Sequence, residues 1–127
     1  MAGNLATGQV AAAGVPSRIP PLAESGNDTW APSGMAFYAG RTNERPTLLV
    51  ATLTGAALLR LIVDPANPAH LLAQQMVLSG FGRLRDAVTG PDHCLYLLTS
   101  NRDGRGQPQA QDDRVLRACP GVSGGGL

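Results

Sequence analysis

Two arginines near the start of an apolar run, Arg83 and Arg85, carry the strongest chemical signal in this 127-residue sequence. They occupy alternate positions of a predicted extended segment, so both side chains leave the same face and can converge on one anion. A guanidinium group binds a carboxylate through two parallel N–H groups, which suits a ligand that carries carboxylates. The competing interpretation is an internal ion pair with Asp86 or Asp113. The spacing alone leaves both interpretations open.

The polar segment 101–112 partly resembles a calcium-binding loop. However, Arg105 stands at a position that would need a ligand, and the flanking helices of such a loop are not predicted. The alternative is an ordered connection in which Asn101 and Asp103 accept hydrogen bonds from backbone amides. We therefore predict no metal ligand here.

The two histidines, His70 and His93, are the only imidazoles available as general bases. Both lie beside proline or turn residues, and no acidic residue is placed to orient either ring. We predict that both are exposed turn residues and that the chain contains no catalytic residue.

The charge balance argues against two classes of partner. Ten basic and nine acidic side chains nearly cancel, and lysine is absent, so no basic surface for nucleic acid or an anionic membrane is expected. No apolar run approaches the roughly 20 residues that span a bilayer. The first 15 residues lack the basic and apolar regions of a secretory signal, which predicts a cytoplasmic location for the chain as written.

The two cysteines, Cys94 and Cys119, are too few for a disulfide framework and lack the spacing of a zinc site. We predict that they are ordinary small core residues. If Ser100 faces Asp113 in an antiparallel register, the two sulfur atoms also lie opposite each other, so a cross-strand disulfide is geometrically feasible. It would require an oxidising compartment, and the sequence leaves the pairing open.

Short apolar runs separated by turn residues begin at Gly34 and predict consecutive antiparallel strands. Gly55 is expected to supply the positive φ of a tight hairpin. A helix competes with a strand in the fourth run, but nearby prolines favour an edge strand. The runs are residues 35–39, 47–53, 57–63, 71–78, 84–89, 94–100 and 113–118.

The predicted strands form one unit of four and one of three. Residues 48–51 and 58–63 are apolar on both faces, as in stacked blades of a β-propeller, where both faces of each sheet are covered. We predict an all-β chain with a poorly ordered lead-in over 1–28, β-propeller blades over 29–120 and a flexible tail over 121–127.

The order and spacing of several segments resemble the glucose/sorbosone dehydrogenase family, the soluble aldose sugar dehydrogenases, over roughly residues 19–120. The segments are residues 28–38 (DTWAPSGMAFY), 48–53 (LLVATL), 58–61 (LLRL) and 83–120, which opens on RLRD. The resemblance implies a partial six-bladed β-propeller, pyrroloquinoline quinone and calcium as cofactors, and oxidation of the anomeric carbon of an aldose sugar.

The resemblance also assigns roles to individual residues. Arg83 and Arg85 match the arginine pair that lies against the quinone and its carboxylates. Thr29 and Trp30 fall in the loop that borders cofactor and substrate. Thr54 stands where the family usually has a lysine that contacts the cofactor, which implies weaker binding.

His93 replaces the glycine of a Pro-Asp-Gly turn, a change expected to be tolerated. The catalytic histidine and the calcium ligands of the family belong to blades upstream of these residues, and neither His70 nor His93 matches that histidine. We therefore expect the chain to be a fragment that is inactive alone.

Two other interpretations remain. The chain could be a non-catalytic β-blade module that self-associates through unpaired sheet edges, or a truncated product without function. Family members are usually periplasmic or secreted, which conflicts with the cytoplasmic location predicted from the missing signal.

Overall fold

The computed structural model describes residues 19–38 and 46–119, which form seven strands in two antiparallel sheets. Within these ranges there is no helix, and so none that could span a membrane. Residues 1–18 of the predicted lead-in and the predicted tail over 121–127 lie outside the described residues, and the domain division stays a prediction. The strands are β1 (Pro32–Tyr38), β2 (Thr47–Thr52), β3 (Leu58–Asp64), β4 (Asn67–Val77), β5 (Leu84–Thr89), β6 (Leu95–Thr99) and β7 (Val115–Ala118).

The first sheet has the order β1-β2-β3-β4, so each strand pairs with the next in the chain. The fourth run is an edge strand, as predicted, and not a helix. It begins at Asn67, earlier than the sequence indicated, because Pro68 is tolerated on an edge strand, where a missing N–H breaks no ladder. Its pairing with β3 shifts register on either side of Val63.

The hairpin between β2 and β3 turns differently from the prediction. The positive φ belongs to Ala56, at 52°, and Gly55 is not among the residues with positive φ. Glycine is needed at position 55 for space, because a Cβ there would lie 3.0 Å from the Cβ of Thr52. The Thr52 hydroxyl closes the turn by donating to the carbonyl oxygen of Ala57 at 2.6 Å.

The second sheet has the order β5-β6-β7, and its register agrees with the prediction. Leu95 pairs with Ala118, and the same register places Cys94 opposite Cys119. The two cysteines form a disulfide with their Cα atoms 4.2 Å apart. The prediction of ordinary core cysteines is therefore wrong, because register alone brings the sulfur atoms together.

The two sheets pack face to face around an aliphatic core, and their first strands β1 and β5 lie side by side. The core contains Leu49 and Leu58 from the first sheet and Leu84, Leu95 and Leu97 from the second. This stacking of antiparallel sheets around adjacent first strands is that of neighbouring blades in a β-propeller. The fold class is thus the predicted all-β partial propeller.

Three contacts fix β1 against the second sheet. The Tyr38 hydroxyl donates to the carbonyl oxygen of His93 at 3.2 Å, and the Thr89 hydroxyl donates to that of Phe37 at 3.1 Å. Gly34 lies so close to β5 that a Cβ there would be 2.7 Å from the Cα of Asp86. Only glycine allows this approach of the two backbones.

The face of the first sheet that points away from the second sheet is also apolar. Cross-strand pairing places Met35 beside Val50, and Val50 beside Leu59. Together with residues 21–32, this face forms a groove of about 760 Å³. Met35 and Phe37 remain 60% and 59% exposed.

Candidate functional site

Arg83 and Arg85 converge on one anion, as their spacing predicted, and that anion is Asp103 of the same chain. The Nε of Arg83 donates to Oδ2 of Asp103 at 3.1 Å, and Nη2 of Arg85 donates to the same oxygen at 3.4 Å. Among the described residues, neither arginine has an ion pair with Asp86 or Asp113, the partners considered from the sequence. The predicted convergence is present, but regular alternation does not produce it: Arg83 precedes β5, Arg85 lies where the ladder shifts register, and the partner comes from a loop about 20 residues later.

A β-bulge aims Arg85. Leu84 pairs with Thr99 and Asp86 with Leu98, so Arg85 is the extra residue in the ladder. A bulge of this kind bends the strand and redirects the side chain of the inserted residue. The Nε of Arg85 consequently reaches the hydroxyl oxygen of Ser100 at 3.1 Å.

The loop after β6 is shaped to present Asp103. Oδ1 of Asp103 accepts the amide of Arg105 at 2.9 Å, the backbone-capping role predicted for Asp103. Gly104, with φ of 92°, takes the left-handed conformation that this turn requires. The pKa of Asp103 is lowered to about 2, mainly by the Arg105 amide and also by Arg83 and Ser100, against the opposing effect of burial.

Asn101 holds the arginine-bearing segment in place from the other side. Its side chain is buried, donates to the Phe81 carbonyl at 2.8 Å and to Oδ2 of Asp112 at 3.1 Å, and accepts the amide of Arg83 at 2.8 Å. The pKa of Asp112 is lowered, first by the Gln109 amide and further by Arg114 and Asn101. Asn101 thus caps the Arg83 amide, in line with the sequence prediction.

A cleft of about 290 Å³ opens beside these residues. Arg83 and Arg105 line it, and so does Thr54 at the tip of the first-sheet hairpin, the position at which the resemblance implies a lysine. Gly106 packs against Arg83, since a Cβ there would lie 3.0 Å from the Arg83 Cδ. Arg85 does not line the cleft; it is connected to Arg83, which does, through their shared contact with Asp103.

Thr29 and Trp30 lie elsewhere. Both line the apolar groove on the first sheet, not the cleft beside Arg83. The two regions are linked through the hairpin, because the carbonyl oxygen of Trp30 accepts the amide of Gly55 at 3.0 Å and Thr54 precedes Gly55 at the cleft. The structure therefore brings together the two arginines but leaves Thr29 and Trp30 in the neighbouring groove.

The histidines differ from each other. His93 lies in the turn before β6 as predicted, with φ of 64°, the conformation that favours the glycine it replaces. His70 lies within β4, not in a turn, and its Nδ1 is 3.6 Å from Oδ2 of Asp64, so the prediction of no acidic neighbour is wrong for this residue. With a side chain 65% exposed, His70 faces solvent.

Sequence reasoning missed Asp103 and Ser100 as partners of the arginines. The available signal was the pair Asp103-Gly104, which indicated a turn, but not which side chains that turn faces.

The site has the donors that a carboxylate-bearing cofactor needs. Within the described residues, Nη1 and Nη2 of Arg83 and Nη1 of Arg85 donate no hydrogen bond, so they are free to bind carboxylates. Two guanidinium groups, those of Arg83 and Arg85, share the single carboxylate of Asp103, which leaves this cluster of three side chains with a net positive charge. These features fit the quinone implied by the resemblance. They do not provide a calcium site, since residues 19–38 and 46–119 contain no cluster of acidic, histidine or cysteine side chains that could hold a metal ion.

Solved structures similar to this chain are sugar dehydrogenases. An oxidoreductase described as a glucose dehydrogenase, from Thermus thermophilus, is 48% identical with a TM-score of 0.60, over 69% of this chain and 25% of that one. The aldose sugar dehydrogenase of Streptomyces coelicolor, solved in its PQQ-bound form, is 33% identical with a TM-score of 0.62. The match covers 91% of this chain and 32% of that one.

A further glucose dehydrogenase structure is 36% identical with a TM-score of 0.58, over 70% of this chain and 25% of that chain. The chain thus spans between a quarter and a third of the length of these relatives. Comparison with curated proteins gives no match. The model of the Glucose / Sorbosone dehydrogenase family matches residues 11–113. This chain therefore belongs to the glucose/sorbosone dehydrogenase family.

Proposed function

We propose that this chain supplies the C-terminal blades of a pyrroloquinoline-quinone-dependent dehydrogenase that oxidises the anomeric carbon of an aldose. The observation that carries the proposal is the convergence of Arg83 and Arg85, with unused guanidinium donors, beside a cleft that Arg83 lines. The PQQ-bound relative from Streptomyces coelicolor supports the choice of cofactor.

The residues of this chain would bind and orient. Arg83 and Arg85 hold carboxylates of the quinone through charge-assisted hydrogen bonds, which are shorter and stronger than neutral ones. Thr29 and Trp30 border the adjoining groove on the substrate side. A bound quinone would supply the acceptor for the hydride that leaves the sugar. The catalytic histidine, which takes the hydroxyl proton, and the calcium ligands belong to blades that this chain does not contain, so we expect no turnover by the chain alone.

A chimaera tests this proposal. The 127-residue sequence would replace the matching part of the Streptomyces coelicolor enzyme, and glucose-dependent dye reduction would be measured with quinone and calcium added. We expect activity that falls at least about tenfold when Arg85→Gln removes a charge-assisted bond. Arg60→Gln, the same change in the first sheet, serves as the control. A folded chimaera that binds no quinone would contradict the proposal. Dye reduction by the isolated chain would contradict the expectation that the chain alone is inactive.

We also propose that the protein works in the periplasm or outside the cell. The Cys94–Cys119 disulfide supports this location, because disulfides persist in oxidising compartments and are rare in the cytosol. Thiol labelling of the protein taken from its native cells tests the proposal: blocked cysteines are expected, and free thiols in freshly lysed cells would contradict it.

A second candidate function is a non-catalytic module that associates through its open sheets. The exposed apolar residues Met35 and Phe37 on one outer face and Val88 and Val115 on the other favour it. Size-exclusion chromatography of the isolated chain separates the cases, since a folded monomer at high concentration argues against association.

A further inference from the structure

Asp103 occupies an unusual position for an acidic residue near a proposed anion site. One of its oxygens, Oδ2, accepts hydrogen bonds from Arg83, Arg85 and the Ser100 hydroxyl, the last at 3.2 Å. Its other oxygen is held by the Arg105 amide. Only 19% of its side chain is exposed, against 49% for Arg85. The carboxylate is therefore fully engaged by this chain and has no free side to offer a ligand.

Charge alone predicts that this carboxylate opposes an anionic ligand. It lowers the positive charge of the cluster and occupies one donor of Arg83. The geometry indicates that the Asp103 carboxylate instead favours the binding of an anion. Two guanidinium groups close to one another repel, and without a shared counter-ion they would turn toward solvent. Fixing them in one orientation removes side-chain entropy that a ligand would otherwise have to overcome.

Ser100 completes the arrangement. Its hydroxyl oxygen accepts from Nε of Arg85 while its proton goes to Oδ2 of Asp103. Arg85 is thus held at two points, although half of its side chain is exposed. The donors left over, Nη1 and Nη2 of Arg83 and Nη1 of Arg85, are fixed in position.

We infer that Asp103 is a positioning residue that holds Arg83 and Arg85 ready for a polycarboxylate ligand, so that this acidic residue strengthens the binding of an anion. The inference rests on the proposed function for the identity of that ligand, pyrroloquinoline quinone. The inference goes beyond the proposed function because it attributes the affinity for the ligand to pre-organised arginines rather than to positive charge.

The test compares Asp103→Asn with Asp64→Asn in the 127-residue chain. Both changes remove one negative charge, and Asp64 ends β3 in the first sheet, where it accepts the Ala66 amide and lies 3.6 Å from His70. Binding of pyrroloquinoline quinone and of trimesate, a tricarboxylate without redox chemistry, would be measured by calorimetry. Asn at 103 keeps only one of the two acceptor oxygens and carries no charge, so it cannot accept from both the Arg105 amide and the guanidinium and hydroxyl donors, and we expect about tenfold weaker binding of both ligands than in Asp64→Asn.

A second readout does not depend on any ligand. The Nε–H groups of Arg83 and Arg85 should exchange slowly with solvent in NMR spectra of the free chain. Asp103→Asn should accelerate both, whereas Ser100→Ala should accelerate Arg85 alone. This pattern distinguishes positioning from a general loss of structure, which would change the amide spectrum throughout the sheet.

Each outcome decides between the two claims. If Asp103→Asn binds both ligands as tightly as Asp64→Asn, or if the two Nε–H groups exchange equally fast with and without Asp103, the inference is wrong while the proposed function stands. If trimesate binds and weakens as expected but the quinone does not bind, the proposed function fails and the inference stands. If neither ligand binds the unaltered chain, both are overturned.

Discussion

The two sheets of this molecule are stabilised in different ways. The first sheet is held by apolar side chains on both faces: Leu49 and Leu58 face the second sheet, and Val50 and Leu59 face the outer groove. The second sheet buries apolar side chains on one face only, and polar contacts and a disulfide connect its strands and loops. Asp92 illustrates this, because it accepts hydrogen bonds from Tyr96 at 2.6 Å and from Arg117 at 3.0 Å.

The difference follows from the work each sheet would do. A cluster that must hold charged side chains at fixed positions needs directional bonds, since apolar packing does not orient a guanidinium group. The arginines accordingly emerge from the sheet with the polar scaffold. In the described parts of the chain, every buried side-chain polar atom has a hydrogen-bond partner, as a polar network must have to be stabilising.

The largest effect is expected from the core that the two sheets share. Leu58 is fully buried there, and Leu58→Ala should lower the free energy of unfolding by about 2–5 kcal/mol through lost burial and a cavity. Urea denaturation measures the change, and both sheets should unfold in one transition. Leu72→Ala, at a residue 44% exposed, is the control. Separate transitions for the two sheets would show that the core is not shared.

The next largest effect is expected from the disulfide, which belongs to the second sheet alone. Its cysteines are 25 residues apart, and loop-closure entropy then gives about 3.5 kcal/mol of stabilisation. Replacing both cysteines by serine should accelerate hydrogen exchange in β6 and β7 more than in β2 and β3. A reductant should reproduce this in the unaltered protein and have no effect on the double variant; equal acceleration in both sheets would contradict the assignment.

A smaller loss is expected at Asn101, which serves the polar scaffold. Asn101→Ala leaves the Arg83 amide and the Phe81 carbonyl without their partner and should cost about 1–3 kcal/mol. Asn67→Ala removes a single exposed bond, at 3.3 Å to the Ala69 amide, and should change stability far less. Thermal unfolding of the two variants compares them, and equal losses would show that the buried position of Asn101 is unimportant.

The pH dependence of stability should come mainly from the second sheet. The pKa of Asp92 is lowered to about 2, chiefly by the Tyr96 hydroxyl, and that of Asp103 is also about 2. A carboxylate whose folded pKa lies below its unfolded value, near 4, stabilises the fold above about pH 4. This stabilisation is lost as the pH falls from about 4 to 2. Asp92→Asn should flatten that part of the curve when the free energy of unfolding is measured against pH.

The smallest effect is expected at His93. Its φ of 64° is a conformation that costs a residue with a Cβ on the order of 1 kcal/mol. His93→Gly should therefore raise the free energy of unfolding by up to about 1 kcal/mol, measured by urea denaturation, whereas the β-branched His93→Val should lower it. A destabilising glycine would mean that the His93 side chain makes a favourable contact that outweighs the backbone strain.

The sequence predicted the local features of this fold well. Short apolar runs separated by turn residues located the strands, because each run ends where the turn residues begin. The register of β6 and β7 followed from placing Ser100 opposite Asp113. The convergence of Arg83 and Arg85 was also expected, although a β-bulge at Arg85, and not the regular alternation assumed from the sequence, directs the second side chain.

The remaining features depend on tertiary contacts that spacing does not encode. Asp103 reaches the arginines because a loop folds back over the sheet end, and neither Asp86 nor Asp113 shares that path. The absence of a secretory signal argued against the disulfide, whereas the predicted pairing of Ser100 with Asp113 correctly placed the two cysteines opposite each other. The prediction for the hairpin at Gly55 is wrong because the demand there is for space beside Thr52, not for a positive φ.

The position of the disulfide has a consequence for how this sheet forms. Cys94 and Cys119 face each other only in the native alignment of β6 and β7, and a slip of one residue would turn Cys119 to the opposite side of the sheet. Under oxidising conditions the bond can close only on the correct alignment, and once closed it prevents any later slip. Formation of the disulfide therefore reports correct strand alignment during oxidative folding, and misaligned chains can be distinguished by their free thiols.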